Sequence, residues 1–235
     1  AELRGYAPRM RRIEVVPTGI DTERFNCHQD GRSMRERMGV KDNEKMVLAL
    51  GRVAWEKNLD LVLKGFACLH KDEPHTKLVV AGNGPAMGHC VQLAKELGIS
   101  DHTRFPGFVD DKDLPKLYAA CDAFTIASKF ETQGLVLLEA MATAKPISGI
   151  DYRAVGELIV DGKNGFKFKD DPEDWARATK AARLIRAWAH RSARSPGRMG
   201  SSLPCSTTKR TPACWARRSA ASAWATATSL CASSS

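Results

Sequence analysis

The chain is predicted to be α/β, a parallel sheet covered by helices on both faces. Three observations predict it. Short apolar runs alternate with helix-forming stretches from Met46 to about Ala189. The runs are apolar throughout, not at every second residue, which is how strands buried on both faces read. Glycine-rich turns leave the runs, Gly51-Arg52 after one and Gly82-Asn83-Gly84-Pro85 after another. Strand, helix, strand in succession builds right-handed crossovers and so a parallel sheet.

The elements follow in order. Ile13 to Pro17 reads as a short strand, and Thr18-Gly19-Ile20-Asp21 turns out of it. Residues 31–38 are polar and read as a helix. Met46 to Leu50 is an apolar run bounded by Gly51, the pattern of a buried parallel strand. Leu59 to His70 is amphipathic, with Leu61, Leu63, Phe66 and Leu69 on one face. Leu78 to Ala81 is the next strand, and a helix over 86–97 follows its turn. Thr103 to Phe105 is a strand and Leu114 to Cys121 a helix. Ala123 to Ala127 is a strand and Gly134 to Thr143 a helix. Pro146 to Ile150, then Ala154 to Val160, repeat the pair. Phe166 to Phe168 is a last strand before a helix from Pro172 to about Ala189. The fold class is therefore Rossmann-like, with ligands expected at the C-terminal edge of the strands.

Charge divides the chain. Residues 1–174 hold 25 Lys/Arg against 27 Asp/Glu, a net of −2, while residues 175–235 hold 11 Lys/Arg and no acid, a net of +11. The overall +9 is thus a property of one end, not a general affinity for nucleic acid. Residues 183–235 are rich in Ala, Ser and Arg, carry Trp188, Trp215 and Trp224, and show no period from Pro204 onward. A basic aromatic arm for RNA or an acidic membrane is one reading. An out-of-frame product of a GC-rich gene is the other, and composition favours it. The expected division is a folded domain over 1–182 and an irregular, non-native or disordered tail over 183–235.

Other function classes are excluded by what is missing. No apolar core of a leader peptide stands near position 1, and no run of about eighteen apolar residues occurs. The seven Cys include no C-x-x-C pair, and Cys68, Cys90 and Cys121 sit among apolar residues. A reducing cytoplasm is expected. Gly82-x-Gly84 is followed by Met87 where a dinucleotide fingerprint needs a third Gly. Asp111-x-Asp113 has metal-binding spacing, but Asp113 stands before Leu114-Pro115 and reads as a helix N-cap. Asp170-Asp171-Pro172-Glu173-Asp174 is likewise a helix entrance.

The chemistry concentrates in Glu131-Thr132-Gln133-Gly134-Leu135, with Glu139 inside the helix that follows. This places a carboxylate in a loop, a helix N-terminus beside it, and a second carboxylate further along. Free N–H groups and the positive dipole end suit a diphosphate. Carboxylates accept from the paired hydroxyls of a sugar and a ribose. Arg52 and Lys57, at the end of the 46–50 strand, can hold a diphosphate from its other side. Taken singly, Arg52 and Lys57 are a solvated loop, Glu131 an acid near a helix start, and Glu139 a rim position. Together they point to a nucleotide-sugar.

With these motifs in place, the chain resembles the C-terminal, donor-binding domain of a GT-B glycosyltransferase of the retaining family 4. The matching segments are Val16 to Asp21, Gly51 to Lys57, Leu78 to Pro85, Gly107-Phe108-Val109 and Phe130 to Pro146. The sheet would then be one half of a GT-B fold. The resemblance implies transfer of a hexose from a UDP- or GDP-sugar with retention of configuration, without a bound metal or cofactor. It implies that Arg52 and Lys57 hold the donor phosphates and that Glu131 contacts the sugar. It implies that Gly51 and the backbone at Gly134 and Leu135 cradle phosphate or sugar, that Glu139 binds the ribose, and that the backbone at Val109 meets the base. Thr132-Gln133 replaces the Pro-Phe common in the family and is reminiscent of lipid glucosyltransferases. The acceptor is thus expected to be a lipid or a saccharide, the former implying peripheral association at the inner face of a membrane. The family's N-terminal domain is absent from the sequence, so a partial enzyme, inactive alone, is expected. The alternatives are a GT-B epimerase or phosphorylase, and a nucleic-acid or membrane-binding module built on the tail.

Overall fold

A computed structural model describes residues 19–193. The strand expected at 13–17 and the sequence beyond Ala193 lie outside the described residues. Six strands form one sheet: β1 Lys45–Leu50, β2 Thr76–Ala81, β3 Thr103–Gly107, β4 Ala123–Ile126, β5 Ile147–Ile150 and β6 Gly165–Phe168. The helices are α1 Arg32–Arg37, α2 Leu59–Asp72, α3 Met87–Glu96, α4 Leu114–Ala120, α5 Leu135–Ala142, α6 Arg153–Leu158 and α7 Pro172–Ala193. Each expected element from residue 31 onward is present, with ends displaced by a residue or two, except that α7 runs to Ala193 where about Ala189 was expected. β2 begins at Thr76 instead of Leu78 because its first two residues pair with Lys45 and Met46.

All pairings are parallel, in the order β3-β2-β1-β4-β5-β6. The order reverses between β1 and β4. β1 pairs with β2 from Lys45↔Thr76 to Leu50↔Ala81, yet with β4 only at Val47↔Ala123 and Leu48↔Phe124. The two central strands therefore part towards their C-terminal ends. Crossovers on either side of this point run over opposite faces, so nothing fills the gap and a crevice opens there.

Both faces are covered, which explains the unalternating apolar runs. Met46, Val47 and Leu48 are fully buried, as are Leu78 and Val79. On α2 the expected Leu61, Leu63, Phe66 and Leu69 are buried, and so is Val62, because α7 packs along the same helix. Gly65 makes that contact possible: a Cβ there would sit 2.6 Å from the Trp175 ring. Trp175 Nε1 donates to Thr125 Oγ1 at 2.9 Å, and Thr179 Oγ1 to Ser148 Oγ at 2.9 Å, so α7 is pinned to β4 and β5 through satisfied buried polar pairs.

Two helix entrances differ. Asp171 caps α7 as expected, its Oδ2 accepting from the Asp174 N–H at 2.8 Å. Asp113 stands at the N-cap position of α4 but makes no side-chain cap bond, because its carboxylate is held by Arg37 at 2.8 Å. That partner draws its carboxyl below the usual carboxylate range. Helix α7 also runs on past the expected change of character at 182, and Arg183 pairs with Glu73 and donates to Thr76 Oγ1 at 3.1 Å. Cys90 and Cys121 are core residues as expected, and Cys68 is half-buried. Burial pushes the Cys90 thiol up to about 11.

Candidate functional site

The crevice between β1 and β4 is lined by Gly51, Arg52, Lys57, Thr125, Ser128 and Glu131, among others. Its floor is apolar sheet, and its charged groups come from the loops at the strand ends. The turn after β1 is built on close backbone approach. Gly51 (φ 144°) and Gly82 (φ 126°) lie side by side, and a Cβ on Gly82 would fall 1.8 Å from the Gly51 carbonyl oxygen. Only glycine fits there. The loops after β1 and β2 are then laced together: the Val53 N–H donates to the Asn83 carbonyl at 3.0 Å, and the Ala86 N–H to the Val53 carbonyl at 3.0 Å.

This lacing directs the chain into a 3₁₀ turn, Trp55–Lys57, which sequence reading did not anticipate. Asn58, in the left-handed conformation (φ 53°), joins it to α2. Asn58 Nδ2 donates to Asp170 Oδ1 at 2.9 Å, and Lys129 pairs with the same carboxylate. Lys57 is thereby aimed across the crevice, where its Nζ donates to Glu131 Oε1 at 2.6 Å. The two side chains are only 25 % and 15 % exposed. Arg52 is 68 % exposed, with Nη1 3.9 Å from Glu56 Oε1.

The second carboxylate sits on α5. Gly134 (φ 63°) starts that helix, and no side chain caps it. The Leu137 and Leu138 N–H groups donate to the Gly134 carbonyl at 2.9 and 3.2 Å, while those of Leu135 and Val136 have no acceptor within the helix. Glu139 lies one turn further on. Its Oε2 accepts from Tyr118 Oη at 2.7 Å, and Tyr118 is fully buried. Burial pushes the Glu139 carboxyl up, opposed by the Tyr118 hydrogen bond and the Arg24 charge and reinforced by Asp111. Arg24 itself is held by Asp111 at 2.9 Å.

The structure thus brings Gly51, Arg52, Lys57 and Glu131 to one crevice. Gly134, Leu135 and Glu139 lie along the start of α5, outside that lining, and Val109 follows β3 with its side chain buried. Sequence reading missed Tyr118 and Arg24. Tyr118 stands in an apolar helix and carries no local sign of a polar partner. Among the described residues no group of three or more His, Cys, Asp or Glu is placed to hold a metal ion. No helix among them is long and apolar enough to cross a membrane.

Comparison with known proteins agrees with the fold. Residues 30–193 match the family described as glycosyl transferases group 1. An alpha-monoglucosyldiacylglycerol synthase of Streptococcus pneumoniae is 36% identical over 151 residues, 63% of this chain and 34% of that protein. A D-inositol 3-phosphate glycosyltransferase of Geodermatophilus obscurus is 33% identical over 202 residues, 80% of this chain and 45% of that protein. The C-terminal domain of a group 1 family protein (LpcC) from Francisella tularensis aligns with a TM-score of 0.60 at 25% identity, covering 72% of this chain and 88% of that domain. Anabaena HepE, solved with UDP-glucose, aligns with a TM-score of 0.64 at 22% identity over 94% of this chain and 56% of HepE. The chain spans less than half the length of these curated relatives.

Proposed function

We propose that this chain, which belongs to the group 1 glycosyl transferases, is the donor-binding half of an enzyme that moves a hexose from a UDP- or GDP-sugar to an acceptor with retention of configuration. The observation that carries the reading is the Lys57–Glu131 pair beside Arg52 in the crevice where the sheet order reverses. Cation and carboxylate here match the two ends of one ligand, a diphosphate and a polyhydroxyl ring.

Lys57 and Glu131 satisfy one another across the crevice. An incoming diphosphate takes Lys57, which frees Glu131 to accept from the sugar hydroxyls. Arg52, exposed and loosely paired, swings onto the phosphates from outside. The α5 N-terminus offers N–H groups at Gly134 and Leu135, Glu139 accepts from the ribose, and the backbone at Gly51 and Val109 lines phosphate and base. In the reaction the bond from the sugar C1 to the diphosphate breaks and a bond from the acceptor oxygen to C1 forms. The acceptor's proton passes to the departing diphosphate on the same face. Lys57, Arg52 and the helix end stabilise the charge that develops on the leaving group.

Acceptor contacts come from parts of the whole enzyme other than the donor half. Thr132-Gln133 favours a diacylglycerol-type lipid, with the enzyme then working at the inner face of a membrane. The test is a thermal-shift titration of the 235-residue chain with UDP, GDP, UDP-glucose and GDP-mannose. A ligand that binds the folded state raises the melting temperature. A rise with one base only, larger for its sugar form, supports the reading. A cooperative melt that none of the four moves would overturn it.

A further inference from the structure

We infer that Tyr118 is a positioning residue for the donor: its buried hydroxyl holds Oε2 of Glu139 and so fixes the direction in which Oε1 is presented to the ribose. The inference rests on the reading that Glu139 meets the ribose. A fully buried phenol needs a partner, and most cores avoid the need by using Phe. Here the hydroxyl reaches from α4 to a carboxylate on α5, at 2.7 Å. The ring cannot drift, because Phe25 meets it edge-on at 5.9 Å and Phe124 lies 5.6 Å away, both buried. Oε1 of Glu139 takes no hydrogen bond from any described residue. A carboxylate clamped at one oxygen by a fixed donor presents the other in one direction, which a side chain with three torsions does not do unaided.

The arrangement also governs charge. The phenol donates, so it favours the ionised carboxyl, while burial favours the neutral one. Among the described residues, the charged and titratable groups that face Glu139 are Tyr118 from α4, Arg24 from the segment before α1, and Asp111 from the turn after β3; Cys121 adds to the field at Tyr118. The working form of Glu139 is the carboxylate that accepts hydroxyls. Donor affinity therefore falls as pH drops through the Glu139 pKa. Removing the hydroxyl raises that pKa further, so the acid limb moves up.

The experiment measures UDP-glucose and GDP-mannose binding to the full chain across acid to neutral pH. The diphosphate diesters of both ligands stay doubly charged over the range. Tyr118→Phe is expected to shift the limb upward and to weaken binding above the limb about threefold. Glu139→Gln is expected to bind weakly with no limb. Loss of core packing alone would lower the melting temperature without moving the limb. A Tyr118→Phe limb unchanged while Glu139→Gln is flat overturns the inference and leaves the ribose reading standing. Wild-type behaviour in Glu139→Gln, or no binding to the wild type, sinks that reading and the inference with it. Should Tyr118→Phe fail to fold, 3-fluorotyrosine at 118 keeps the shape and donates more strongly, so the limb must move down; an unmoved limb is then the refutation.

Discussion

Replacing Lys57 by Met would leave Glu131 in a crevice where its side chain is 15 % exposed, without its cation. At a separation of 2.6 Å the gross attraction is about 6 kcal/mol for an effective dielectric of about 20. Desolvation of both groups cancels most of this. Fully exposed pairs are worth about 0–1 kcal/mol, while breaking fully buried ones costs about 3–5 kcal/mol. Exposures of 25 % and 15 % put this pair between the two. We expect Lys57→Met to cost about 2 kcal/mol, Glu131→Gln about 1.5 kcal/mol, and the double variant about 2 kcal/mol, a coupling near 1.5 kcal/mol. Urea unfolding of the four proteins at neutral pH gives the cycle. The same proteins titrated with UDP and UDP-glucose give the functional half. Lys57→Met should lose about tenfold or more for both ligands. Glu131→Gln should bind UDP at least as tightly as wild type, since nothing competes for Lys57, but gain less from the attached sugar. A double variant equal to the sum of the singles within about 0.5 kcal/mol would refute the pair. UDP and UDP-glucose weakened alike by Glu131→Gln would refute the exchange of partners.

Two further outcomes separate machinery from fold. Arg52→Ala should change stability by less than about 0.5 kcal/mol, because its side chain is 68 % exposed and its Glu56 contact is 3.9 Å, while lowering diphosphate affinity about tenfold; a chemical melt and a UDP titration check both. Gly82→Ala should cost about 3 kcal/mol or more, because its Cβ would fall 1.8 Å from the Gly51 carbonyl and strain a positive φ, so a lowered melting midpoint is expected, and a midpoint within a degree of wild type would contradict the close approach.

How far the chain could be read depended on the range of the interaction. Met46 to Leu50 and Leu78 to Ala81 announced themselves as strands because burial on both faces leaves no polar positions, and each is observed. Asp171 announced a helix start because its cap bond spans three residues. Asp113, with the same local pattern, was taken instead by Arg37 from a different helix. A local rule ranks the groups near it but cannot count a competitor brought by the fold. Glu139 was legible as a carboxylate inside an apolar helix, but its partner, Tyr118, stands on another helix.

The candidate site follows the same division. That Arg52, Lys57 and Glu131 lie at strand ends was legible, since each follows an apolar run. That Lys57 and Glu131 touch was not. They stand 74 residues apart, and their meeting depends on β4 inserting beside β1 while β2 and β3 build outward on the other side. Periodicity, turns and caps are properties of neighbouring residues, so the sequence alone determined the elements, their order and the residue types at their ends. Strand order, the crevice and the pairing of charges across it were decided by tertiary structure, because they arise from how separately formed units bury one another's apolar faces.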